Sequence, residues 1–121
     1  YTLGANKINW HKTGSIFVGS GVSSKKIPFS YNTNWNSAGR WAIELTTNTK
    51  RYYLKPMEKL SVQNKGQINI TDIELPNDKD INFKPGIYDL VHSFLNDDYS
   101  KLLSLEEQIE HVKIYNKIGR Y

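Results

Sequence analysis

The stretch from Trp41 to Leu54 most constrains what this chain can fold into. Trp41, Ile43 and Leu45 alternate with Ala42, Glu44 and Thr46. Side chains alternate across a strand, so this is the pattern of a strand with one buried face. Thr47-Asn48-Thr49-Lys50 is polar and suits a tight turn, and Arg51-Tyr52-Tyr53-Leu54 is rich in residues that favour an antiparallel return. The residues before this hairpin read as further strands, and those well after it read as helix.

Short strand candidates separated by glycine and serine fill the first third of the chain. Lys7-Ile8-Asn9-Trp10 is one, and Ser15-Ile16-Phe17-Val18 is another, with Lys12-Thr13-Gly14 between them as in a hairpin. Gly19-Ser20-Gly21 bounds the second, and the run from Gly19 to Lys26 reads as a flexible loop. It lacks the glycine spacing and lysine placement of a phosphate-binding loop. Lys26 to Tyr31 is a third strand, at an edge or interrupted at Pro28, because proline cannot donate to a ladder. After the central hairpin, Pro56 marks a bend, Met57 to Val62 extends or leaves the second strand, and Asn64-Lys65-Gly66 is a turn. Gln67 to Leu75 is the last strand. Ile68 and Ile70 fall on one parity and Ile73 and Leu75 on the other, which a bulge near Thr71-Asp72 would reconcile. Pro76-Asn77-Asp78 ends it.

Two helices close the chain. The first starts at Pro85, and Ile87, Leu90, Val91, Phe94 and Leu95 form its apolar stripe. The second opens with a capping box, Ser104 and Glu107, carries Leu105, Ile109 and Val112 on its buried face, and stops at Gly119. Strands first and helices last predict an α+β domain: a mostly antiparallel open β-sheet with two C-terminal helices packed on one face. The opposite face keeps Trp, Tyr and apolar side chains without cover from this chain, and such a face meets a partner.

Composition narrows the chemistry. The 121 residues suffice for one core and include no cysteine, so thiolate sites and disulfides are excluded. That agrees with a cytoplasmic location. No apolar run approaches the roughly 18 residues of a spanning helix, and no signal peptide is visible. The net charge of +4 is spread among acids and is densest at Lys50-Arg51, which reads as an ordinary lysine-rich surface rather than a nucleic-acid face. His11, His92 and His111 show no metal-ligand spacing, and His92 and His111 read as helix histidines. His11 with Lys12 and a second histidine would be the acid and base of an RNA-cleaving site, but nothing in the spacing favours it. Trp10, Tyr31, Trp35, Trp41, Tyr52 and Tyr53, with Asn32, Asn34 and Asn36, compose either core aromatics and turn asparagines or a sugar-stacking surface. Arg40 suits a carboxylate or phosphate by a bidentate contact, or a neighbouring acid of its own sheet.

The run Gly39-Arg40-Trp41-Ala42-Ile43-Glu44-Leu45, followed by Lys50-Arg51-Tyr52-Tyr53-Leu54-Lys55-Pro56-Met57-Glu58-Lys59-Leu60, resembles the C-terminal domain of Gfo/Idh/MocA oxidoreductases. It is most similar to members acting on sugars or nucleotide sugars in surface-polysaccharide pathways. Phe83 to Tyr88 with Phe94-Leu95 resembles the helix near the end of that domain, and Leu103 to Gln108 its final helix. The resemblance runs from about Ser15 to Tyr115. It implies that residues 1–121 are a single C-terminal domain that walls the substrate cleft and forms a homo-oligomer interface. It also implies an N-terminal Rossmann domain that binds NAD or NADP, and catalytic lysine and histidine residues before Tyr1. Alone, the 121 residues would then be inactive, with no catalytic, cofactor or metal residues of their own. Asn34, Trp35 and Arg40, in the loop before the central strand, are the substrate-side candidates, followed by Trp10 and Lys12. Two rival expectations are a stand-alone carbohydrate-binding module and a small basic RNA-binding or RNA-cleaving protein.

Overall fold

The computed structural model describes residues 3–5 and 14–121. They divide into two compact units: the chain up to Ala38 together with Leu103–Tyr121, and Gly39–Leu102. The α+β class holds, with antiparallel strands first and helices last.

In the first unit, β1 (Leu3–Ala5), β2 (Ile16–Val22) and β3 (Pro28–Asn34) form an antiparallel sheet in the order β1-β2-β3. The expected Lys7–Trp10 strand lies outside the described residues. The expected loop at Gly19-Ser20-Gly21 is instead strand. Gly19 pairs with Tyr31 and Gly21 with Phe29, and the Phe29 ring lies so close over Gly21 that a Cβ there would sit 2.7 Å from it. An aromatic ring over a strand glycine supplies the packing that the glycine lacks. The turn comes later. Ser23 receives Lys26 N–H on its carbonyl and Ile27 N–H on its hydroxyl, with Lys26 at φ 60°. Pro28 opens β3, which is an edge strand. Phe17 is the buried apolar side chain among the described residues, at 4% exposure.

The second unit holds β4 (Ile43–Thr46), β5 (Lys50–Leu54), β6 (Leu60–Asn64) and β7 (Thr71–Ile73), an antiparallel meander in the order β4-β5-β6-β7. The strands thus form two sheets, not the single open sheet expected. β4 starts at Ile43 rather than Trp41. Its register pairs Ile43 with Leu54, so Trp41 would oppose Pro56, which has no N–H to give. The bend after Leu54 carries a cis Lys55–Pro56 bond. β7 is also shorter than expected. The Gln63 side-chain amide donates to the carbonyls of Gln67 and Ile68 at 3.0 and 3.1 Å, satisfying groups that a longer strand would have paired. The parity conflict is therefore resolved by ending the strand rather than by a bulge, and Ile68 is 91% exposed.

Three helices follow. α1 (Asp78–Asn82) replaces the plain strand end expected after Pro76, and Asp78 and Asp80 in its first turn suit the positive helix terminus. α2 (Ile87–Leu95) begins after a left-handed Gly86, two residues beyond the expected Pro85 start, and Gly86 N–H donates to Asp80. α3 (Leu105–Gly119) carries the expected capping box: Glu107 N–H donates to Ser104 Oγ, and Ser104 N–H to the Glu107 carboxylate. It ends on a left-handed Arg120, one residue past the expected stop. The stripes of α2 and α3 were expected to be covered, but Leu90, Phe94, Leu105 and Ile109 are all exposed.

Candidate functional site

The β4–β7 sheet is two-sided. Its register places Ile43, Leu45, Tyr52, Leu54, Leu60, Val62 and Ile73 on one face. The opposite face carries Glu44, Arg51, Tyr53, Ser61, Gln63 and Asp72. Within β4–β7 the apolar face carries a charge only at its end, where Lys50 pairs with Asn64. Leu45 is 52% exposed with Ile43 exposed beside it on β4, and Ile73 is exposed on β7 at the opposite edge, so the apolar face is open to solvent across its outer strands.

The polar face is closed on itself by hydrogen bonds. Tyr53 Oη donates to Gln63 Oε1 at 2.9 Å, Ser61 Oγ donates to Asp72 Oδ1 at 2.7 Å, and Arg51 Nε lies 3.3 Å from Glu44 Oε1. These partners engage one another across a face that water also reaches.

The two ends of this sheet differ in charge. At one end a cleft of about 360 Å³ is lined by Glu58, Asp72 and Glu74, with Lys59. At the other, between the Thr47–Thr49 and Lys65–Gln67 turns, a cleft of about 600 Å³ is lined by Lys50, Arg51 and Lys65 among threonines and amides, with no carboxylate in its wall.

The sequence candidates scatter. Asn34 and Trp35 share one turn: Asn36 N–H donates to Asn34 Oδ1 at 2.9 Å, and Trp35 N–H to the Ser15 carbonyl. Asn36 Nδ2 donates to the buried Ser15 hydroxyl at 3.3 Å, so two of these amides do the work of a turn. Arg40 belongs to the other unit and pairs with Glu58 at 3.4 Å, the neighbouring-acid alternative for this residue. Trp41 stands 76% exposed. Trp10, Lys12 and His11 lie outside the described residues. The basic cleft was missed as a site. Lys50-Arg51 stood out as the densest basic pair, but only the register brings Lys65 beside it.

The histidines of the helices meet aromatic rings. His92 stacks on Tyr88 at 6.0 Å, Lys79 Nζ sits 4.2 Å from the Tyr88 centroid, and His111 meets Tyr115 at 6.1 Å. Among the described residues no group of three or more His, Asp or Glu side chains is placed to hold a metal ion. No helix among them is long and apolar enough to cross a membrane. Two groups in the turn after α2 titrate abnormally. Donation from the Ser100 hydroxyl, then from its backbone N–H, holds the Asp98 carboxyl below the ordinary aspartate value. The bond from Tyr99 Oη to Asp97 Oδ1 at 2.7 Å raises the Tyr99 phenol.

The chain matches no known protein family, no characterised protein and no solved structure.

Proposed function

We propose that this chain is the C-terminal, substrate-cleft and oligomerisation domain of an NAD(P)-dependent sugar or polyol oxidoreductase. The reading starts from the order and spacing of the motifs between Gly39 and Leu60 and in the two C-terminal helices. The structural observation that supports it is the β4–β7 sheet with one apolar and one polar face, the apolar one exposed at Ile43 and Leu45 on one outer strand and at Ile73 on the other. A sheet face of this kind is stable when another surface covers it.

NAD or NADP would be bound elsewhere in such an enzyme. A dinucleotide needs a glycine-rich turn leading from a strand into a helix. Gly19-Ser20-Gly21 lies inside β2, paired along its length with β3, and therefore offers no cradle. The domain's own contribution would be polar groups that orient a sugar and the binding energy of the oligomer. The test is the intact mass of the native protein, with the reading frame upstream of Tyr1. A chain of roughly 300 residues or more that opens on a strand–glycine-loop–helix unit is the expected result. A native protein beginning at Tyr1 would overturn the reading.

A stand-alone carbohydrate-binding module is the second reading, favoured by the exposed Trp41 indole beside Arg40. It predicts sugar affinity in the 121-residue chain without any cofactor, lost in Trp41→Ala.

A further inference from the structure

We propose that the cleft between the Thr47–Thr49 and Lys65–Gln67 turns binds a small polyoxygenated anion, a phosphate ester or a carboxylate. The cleft is an open groove of about 600 Å³ rather than an enclosed cavity. Lys50 and Lys65 stand in its wall and no Asp or Glu does, while Arg51, also in the lining, projects from the opposite face of the sheet. Arg51 is partly engaged by Glu44 on the polar face, while among the described residues Lys50 and Lys65 have no ion-pair partner. The remaining lining is hydroxyls and amides, among them Asn48, Thr49 and Asn64. Such a wall suits a ligand with many oxygens and has little to offer an apolar one.

The turns are set before any ligand arrives. Lys65 N–H donates to the Thr49 carbonyl at 2.8 Å, tying one turn to the other. Thr47 and Lys50 close the first turn through Thr47 N–H to the Lys50 carbonyl and Lys50 N–H to Thr47 Oγ1. Asn64 Nδ2 donates to Gln67 Oε1, and Gln67 N–H to the Asn64 carbonyl, across the second. A frame already hydrogen-bonded spares a ligand the cost of ordering it. The inference does not depend on the oxidoreductase reading, because the cleft lies wholly within the Gly39–Leu102 unit.

The experiment is a backbone-amide NMR titration of the whole chain at physiological ionic strength, with pyrophosphate in one arm and glucuronate in the other. The expected result is saturable shifts at Thr47–Lys50 and Asn64–Gln67. Lys50→Ala with Lys65→Ala should weaken binding by about tenfold or more, and Lys50→Arg with Lys65→Arg should retain it. Response to pyrophosphate alone assigns phosphate esters, and response to glucuronate alone assigns carboxylates. Shifts spread equally over Lys25, Lys55 and Lys101, or an alanine variant that keeps a folded spectrum and binds as before, would overturn the proposal.

Discussion

Tyr53 and Gln63 are joined diagonally across β5 and β6, with the tyrosine hydroxyl donating to the glutamine amide oxygen at 2.9 Å. The same amide spends its N–H groups on the Gln67 and Ile68 carbonyls. One side chain therefore links the middle of the sheet to the turn that forms the basic cleft. Tyr53→Phe removes one partly buried bond and should cost about 1 kcal/mol in urea unfolding. Gln63→Ala removes three and should cost about 2 kcal/mol, with faster exchange at the Gln67–Ile70 amides. Equal costs for the two variants would mean that the amide does not anchor the turn.

Backbone conformation gives a pair of opposite predictions. Gly66 holds φ 81° in the turn between β6 and β7, with open space where a Cβ would go. Gly66→Ala should therefore destabilise by about 1 kcal/mol through left-handed strain alone. Lys26 holds φ 60° in the turn between β2 and β3, and its substitution by glycine should relieve that strain and stabilise by a comparable amount. Thermal unfolding of the two variants checks the signs. A destabilised Lys26→Gly would show that flexibility gained in the unfolded chain outweighs the strain.

The apolar face of the β4–β7 sheet makes a prediction about assembly. Leu45, with Ile43 beside it and Tyr52 opposite, is open to solvent. If a second copy covers this face, the chain self-associates in light scattering, and Leu45→Lys shifts it to monomer while the fold persists. A clean monomer at high concentration would remove self-association as the role of this face.

Much of this was legible in the sequence because it is local. The capping box at Ser104 and Glu107, the turn at Asn64–Gly66 and the alternation through Ile43 and Leu45 each depend on residues a few positions apart. What escaped depends on pairing between strands. Gly19–Gly21 looks like loop until Phe29 is placed over it, and the start of β4 at Ile43 follows from Pro56 opposite Trp41. The basic cleft joins Lys50 to Lys65, fifteen positions on, which only the β5–β6 register predicts. Arg40 was legible as an anion-seeking side chain, but its partner, Glu58, comes from the bend beyond β5.

The capping box itself is open to a direct test. The Ser104 hydroxyl accepts from Glu107 N–H at 3.2 Å while the Glu107 carboxylate accepts from Ser104 N–H at 2.9 Å. Ser104→Ala should cost about 1 kcal/mol and reduce helicity at the start of α3. Ser104→Asp, which keeps an acceptor and places negative charge at the helix N-terminus, should restore most of it. Equal losses for Ala and Asp would mean that tertiary contacts, not the cap, set where α3 begins.

The turn after α2 carries a pH signature at both ends of the range. Ser100 donates to Asp98 through its hydroxyl and its backbone N–H, which favours the ionised carboxylate and lowers its pKa in the folded chain. The stabilisation is therefore full above the ordinary aspartate value and is lost as pH falls through the lower folded value. At Tyr99 the sign is reversed. Its hydroxyl donates to Asp97, so the neutral phenol is favoured; the stabilisation is full below the ordinary tyrosine value and lost as pH rises through the higher folded one. The Ser100 amide and the Tyr99 ring resonances should report the two transitions separately by NMR. Ser100→Ala should return the Asp98 titration toward the ordinary value and leave the Tyr99 transition where it was. A Tyr99 transition that moves with it would show the two bonds to be one coupled network.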